Sequence, residues 1–160
     1  DKVLNIEEKS ETQGFDFYNI SIYSKDNLNQ VKLSDSVEFN ISGEIKSPDF
    51  KLNLKNNAKF IGAVNSKKLD LEMTDKTRAN LLGKTYNAFI KISDTASLIA
   101  PYWNINDLKI NSDKGNYSEV SVEEKISGFV KNTATFTYYG SPISAFKIDK
   151  TATVENNKLD

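Results

Sequence analysis

Two short stretches combine residue types suited to recognition. Pro101-Tyr102-Trp103 holds the only Trp of the chain, beside Asn104 and Asn106. Thr137-Tyr138-Tyr139-Gly140 holds two adjacent tyrosines. Exposed Tyr and Trp can lie against a sugar ring or anchor a protein interface. Neighbours on a strand point to opposite faces, so one member of each pair can face solvent while the other packs inward. Tyr102, Trp103, Tyr138 and Tyr139 are therefore the candidate binding residues. A lone Trp in a small β domain also fills cores, and burial is the competing reading of Trp103.

Carboxylates offer a second chemistry. Asp70 with Glu72, and Glu123 with Glu124, are sets from which acid/base work can be built. Asp70 and Glu72 fall opposite Leu69, Leu71 and Met73, so they read as a solvated polar face. Asn111-Ser112-Asp113-Lys114-Gly115-Asn116 places oxygen ligands at alternate positions, as calcium loops do. It lacks the late bidentate Glu and carries a lysine, and turn chemistry at a hairpin tip accounts for the same residues. No metal and no cofactor are expected. Asn19-Ile20-Ser21, Asn40-Ile41-Ser42 and Asn116-Tyr117-Ser118 match the N-glycosylation pattern, as chance alone produces with 18 asparagines.

The 160 residues contain no His and no Cys. That excludes His-dependent triads, thiol nucleophiles, zinc fingers and disulfides. Twenty lysines stand against one arginine, Arg78, which disfavours bidentate phosphate clamping and with it nucleotide chemistry. Net charge is −1, without the basic surplus of a nucleic-acid binder. No apolar run is long enough to span a membrane. The chain starts at Asp1 rather than Met, as after removal of a leader or trimming.

The elements that must position these residues are strands. Val37, Phe39, Ile41 and Ile45 alternate with Glu38, Asn40, Ser42 and Glu44. Phe50, Leu52 and Leu54 repeat the pattern, as do Leu69, Leu71 and Met73. This predicts that Phe39, Ile41, Leu52, Leu54 and Leu71 share one core. Phe15 to Tyr23 is apolar on both faces and reads as a central strand. Ala58 to Val64 is a weaker strand with Gly62 as a bulge. Trp103–Ile110, Ala134–Tyr138, Phe146–Ile148 and Ala152–Val154 follow. Ser47-Pro48-Asp49 reads as a turn between strands.

Two segments suggest helix. A short helix is expected near Asp75–Leu82, capped by Thr74 or Asp75, before a strand near Tyr86–Ile92. Ser121–Lys131 carries a capping-box spacing, with Val122, Ile126, Phe129 and Val130 at helical intervals. A strand through Val120 and Val122 competes with that helix.

No internal repeat is evident. Many short strands with frequent turns point to an antiparallel β-sandwich, immunoglobulin-like or related, with one or two short helices. A small β-barrel or an α+β fold is the alternative. One domain spans residues 1–160, with polar ends at 1–13 and 155–160 expected to be flexible.

The function expected from this composition is a non-enzymatic binding or structural module of a bacterial surface, secreted or envelope protein. It would recognise a protein or glycan through strand edges, loops or an aromatic patch. Its habitat would be secreted, cell-surface or periplasmic. A carrier holding a small apolar ligand in a barrel or sheet–helix cavity is the rival reading. A carboxylate-based hydrolase ranks below both.

Overall fold

The computed structural model describes residues 2–8 and 19–159. Nine strands follow one another: β1 (Gln30–Leu33), β2 (Glu38–Leu54), β3 (Lys59–Met73), β4 (Arg78–Ser93), β5 (Ser97–Asp113), β6 (Tyr117–Lys131), β7 (Thr135–Tyr139), β8 (Ile143–Ile148) and β9 (Thr153–Asn157). Every pairing is parallel. The sheet order is β1-β2-β3-β4-β5-β6-β7-β9, and β8 also pairs with β6. The architecture is an all-parallel β-solenoid of about seven coils with no helix among the described residues.

This corrects the sandwich, and with it the barrel and α+β alternatives. Period-two alternation shows which face of a strand is inward, and it is indifferent to the direction of the neighbour. In a sandwich the next strand returns antiparallel through a hairpin. Here the chain closes a full loop and lies in register on the coil before it. Lys59 pairs with Arg78, Arg78 with Ser97, and Ser97 with Tyr117.

Stacking turns the alternation into columns. Phe50, Leu69, Ala88, Leu108 and Ile126 are successive register partners, as are Leu54, Met73, Ile92, Ser112 and Val130. Their side chains fill the inside of the coil. Leu52, Leu54 and Leu71 are buried there, while Phe39 and Ile41 are half-buried against the same core. Phe39 stacks on Phe60 with ring centroids 5.8 Å apart.

One corner of every coil has a fixed chemistry. Asp35, Asn56, Asp75, Asp94, Lys114 and Asn132 all adopt positive φ, a conformation that Asn and Asp tolerate best among residues with a side chain. Two residues after the last five of these, an inward position is held by Ala58, Thr77, Ala96, Asn116 or Ala134, all buried, whereas Val37 after Asp35 is exposed. The corners bond to one another. Asn56 donates from Nδ2 to Asp35 (2.8 Å), and its backbone N–H donates to Asp75 (3.2 Å). Lys114 donates to Asp94 (3.3 Å), Asn132 to Asp113 (2.7 Å), and the Asn132 N–H to Asp149 (2.9 Å). These donors hold Asp94, Asp113 and Asp149 below the usual carboxylate range.

The same corner explains the missing helices. Asp75, expected to cap a helix, is a left-handed corner residue, and the chain beyond it enters β4. A short polar side chain that bonds locally serves both purposes. Ser121–Lys131 lies within β6. Val122, Ile126 and Val130 are inward on one parity of the strand, with Glu124 turned out between the first two, and their four-residue spacing imitates a helix. The capping-box residues are used elsewhere: Ser121 bonds the Pro101 carbonyl, and Glu124 accepts from Asn106.

Other expectations shift in the same way. Ser47-Pro48-Asp49 lies inside β2 and does not break it. The bulge near Gly62 belongs to the facing strand, where Asn40 and Glu44 flank a register shift. Of the expected strand Phe15–Tyr23, residues 15–18 lie outside the described residues. Residues 19–23 are not strand, and Ile20, Ile22 and Tyr23 are exposed. Glu155, Asn156 and Asn157 are part of β9.

Candidate binding surface

At a second corner the coils differ in length. Ala100 pairs with Val120 and Asn104 with Ser121, so Pro101, Tyr102 and Trp103 form a three-residue bulge against two consecutive residues of β6. The bulge splits the two aromatics. Trp103 turns inward and is fully buried, its indole N–H donating to the Thr85 hydroxyl at 2.9 Å. Its register partner is Gly83. Tyr102 turns outward and is 62% exposed.

The tyrosine pair divides in the same way. Tyr138 packs against the core, stacked on Phe136 (5.6 Å) and edge-on to Phe146 (6.4 Å). Tyr139 faces out and pairs in register with Ser121, whose hydroxyl in turn holds the Pro101 carbonyl. Tyr102 and Tyr139 therefore come to one corner, while Trp103 and Tyr138 serve the interior.

A carboxylate holds the Tyr139 hydroxyl. Glu119 accepts from the Tyr139 hydroxyl through one oxygen and from the Tyr117 hydroxyl (3.3 Å) through the other. The hydrogen bond to Glu119 pushes the Tyr139 phenol up to about 12, assisted by burial and by the nearby Glu119, Tyr117 and Tyr102 groups. Tyr117 is also pushed up, chiefly by burial. Two tyrosines anchored on one carboxylate, with Tyr102 near Tyr139, make a surface with flat apolar faces. Leu82, 51% exposed, sits at the same corner one coil away.

The coupling of Tyr139 to Glu119 has a measurable sign. The fold holds the neutral phenol, so its contribution is complete below pH 10 and is lost as pH rises through about 12. In Glu119→Gln the accepting charge is gone, and Tyr139 should ionise closer to the ordinary 10.0. Absorbance titration of tyrosinate checks this. An unchanged titration curve in Glu119→Gln would dissolve the cluster.

Tyr117, Glu119 and Leu82 were not singled out from sequence. The sequence signal at this corner is the coil length, which links Tyr102, Ser121 and Tyr139 at intervals of 19 and 18 residues.

The remaining sequence candidates are engaged structurally. Asp70 pairs with Lys68 (3.2 Å), Glu72 with Lys91 (3.0 Å), and Glu123 approaches Lys84 at 4.0 Å. Asp70 and Glu72 lie on β3 and Glu123 and Glu124 on β6, with two strands between them. In the Asn111–Asn116 stretch the Asn116 amide is buried, donating to the carbonyls of Ile92 (3.3 Å), Asp113 (3.0 Å) and Lys114 (2.8 Å). It is a corner between parallel strands, not a hairpin tip. Among the described residues no group of three or more acidic, His or Cys side chains is placed to hold a metal ion.

Residues 1–142 match the model of a family described as "Putative auto-transporter adhesin, head GIN domain". The chain belongs to this family. No curated protein matches it. Among solved structures it is similar to a crystal structure described as a "putative adhesin" from Bacteroides fragilis, with a TM-score of 0.69 and 16% identity. The similarity covers 81% of this chain and 61% of the other, so the chain spans under two thirds of that relative's length. At this identity the likeness establishes the shared fold. The family makes the chain an adhesin-like surface module. No helix among the described residues is long and apolar enough to cross a membrane.

Proposed function

We propose that this head domain is a non-enzymatic adhesive module that meets its partner through the tyrosine corner, with Tyr102 and Tyr139 as the contact residues. The observation that supports this is the division of the two aromatic pairs. Trp103 is buried and Tyr138 packs on Phe136, whereas Tyr102 is exposed and the half-buried Tyr139 turns its hydroxyl to Glu119. An exposed tyrosine raised on a bulge does nothing for the core. Fixed by a rigid scaffold, it offers contact area at little entropic cost. The partner is a glycan or a protein outside the cell, in keeping with an adhesin family.

A carrier role loses its container with the fold correction, because the inside of the coil is filled by stacked side chains. Of the carboxylates considered for hydrolysis, Asp70, Glu72 and Glu123 stand against Lys68, Lys91 and Lys84, and Glu124 accepts from Asn106.

Binding to an array of neutral glycans and extracellular proteins tests the proposal. Tyr102→Ala should weaken whatever binding the wild type shows by about tenfold or more, the loss expected of an interface anchor. The melting temperature should stay unchanged. Binding retained in both Tyr102→Ala and Tyr139→Ala would move the adhesive surface elsewhere.

A further inference from the structure

A second surface lies on a different part of each coil. Lys68, Asn87, Asp107 and Lys125 are successive register partners on β3 to β6, and all point outward. Two residues further along, Asp70, Phe89, Lys109 and Ser127 form the next outward row. A shallow groove crosses these coils, lined by Lys68, Asn87, Phe89, Asp107, Lys109 and Lys125 among others. It brings three ammonium groups together against Asp107 and the adjacent Asp70, in a chain whose net charge is −1.

The lysines of this groove are only partly paired. Among the described residues eight lysines find carboxylates, including Lys91 with Glu72 (3.0 Å), Lys114 with Asp94 (3.3 Å) and Lys131 with Asp113 (3.4 Å). In the groove Lys68 is taken by Asp70 (3.2 Å). Among the described residues Lys109 and Lys125 have no carboxylate within the 4.0 Å of an ion pair, although Asp107 is the register partner of Lys125. The Lys109 ammonium instead stands over the Phe89 ring, 5.5 Å from its centroid.

Phe89 is the second observation. It occupies an outward row whose other members are Asp70, Lys109 and Ser127, and it stays half-exposed. The core gains little from it. A flat apolar ring flanked by two unpaired ammonium groups, with an amide and a carboxylate alongside, matches one ligand chemistry. It suits a sugar ring that carries an acid group.

We infer that this groove binds an anionic saccharide, with the ring laid on Phe89 and the acid group met by Lys109 and Lys125. Asn87 and Asp107 face the sugar hydroxyls. An exposed cation–π contact is weak, so the Lys109 ammonium can leave the Phe89 ring for a direct ion contact. This site is independent of the tyrosine corner.

Retention on three immobilised polymers tests it: polygalacturonate, which is carboxylated; dextran sulfate; and neutral dextran. The wild type should be held by an acidic polymer at low salt, be released as salt screens the contact, and ignore dextran. Preference between the carboxylated and sulfated polymers identifies the acid group. Lys109→Gln/Lys125→Gln should bind about tenfold more weakly, a loss near 1.4 kcal/mol. It should also show a flatter salt dependence at an unchanged melting temperature. Lys109→Arg/Lys125→Arg should keep binding. Phe89→Leu should weaken binding with every charge in place, and Tyr102→Ala should leave it intact. Three results would overturn the inference: no retention at low salt, equal retention in the double Gln variant, or an unaltered Phe89→Leu.

Discussion

Trp103→Ala is expected to lower stability by about 3–5 kcal/mol, the range for emptying a buried Trp site. Trp103 is fully buried, faces Gly83 across the ladder and donates its indole N–H to Thr85. Nothing nearby can collapse into the space, because the coils above and below are held in register by their own backbone bonds. Trp103→Phe should cost distinctly less. It keeps the ring, and Thr85 retains a partner in the Ser66 hydroxyl at 3.0 Å. Denaturant midpoints give both values. Acrylamide quenching of the single Trp gives an independent check, since a buried indole is shielded. If quenching were strong and the Ala variant as stable as the wild type, Trp103 would not be inward.

Gly128→Ala should be as damaging, through the backbone. Gly128 has φ +105°, and a Cβ there would lie 2.0 Å from the Ile110 carbonyl oxygen of the preceding coil. Two penalties combine: a conformation that costs a side-chain-bearing residue ~1–3 kcal/mol, and a clash that only separation of β5 from β6 can relieve. A total beyond about 4 kcal/mol is expected, in the exceptional range for one substitution. Gly43 supplies the control. Its φ is +100°, and a Cβ there meets nothing within 4 Å. Gly43→Ala should therefore show the conformational cost alone. Equal melting temperatures for the two variants would mean that β5 and β6 are not in the contact described.

The inward and outward assignments were legible in the sequence to a large degree. Phe50, Leu52 and Leu54, and Leu69, Leu71 and Met73, alternate cleanly and end up inside together. The direction of stacking was not legible, because alternation is the same in parallel and antiparallel ladders. The coil period was present but blurred. Register offsets vary, with Glu38 opposite Lys59, Lys59 opposite Arg78 and Tyr117 opposite Thr135. Corner bulges absorb the difference. Column members also change type, as from Leu54 through Met73 and Ile92 to Ser112. The clearest trace was the corner, where Asn56, Asp75, Asp94 and Asn132 each precede Ala or Thr by two residues. At the binding surface, both aromatic pairs were visible. Which member of each pair faced out followed from the bulge at residues 101–103, and that depends on the length of the neighbouring coil.

The position of Tyr139 along the stack matters in its own right. A solenoid coil leans only on its immediate neighbours, so opening starts at an end and travels inward, like a zipper. Tyr139 closes β7, a strand of five residues whose outer partner is the short β9. Tyr102 is anchored deeper, in β5. Fraying of the last coils would therefore take Tyr139 and its hold on Glu119 away while Tyr102 and the central core stay intact. Backbone hydrogen exchange would register this as weak protection in β7 and β9 against strong protection in β3 to β5. Adhesive contact at this corner would then follow the opening equilibrium of the terminal coils, not the stability of the domain as a whole.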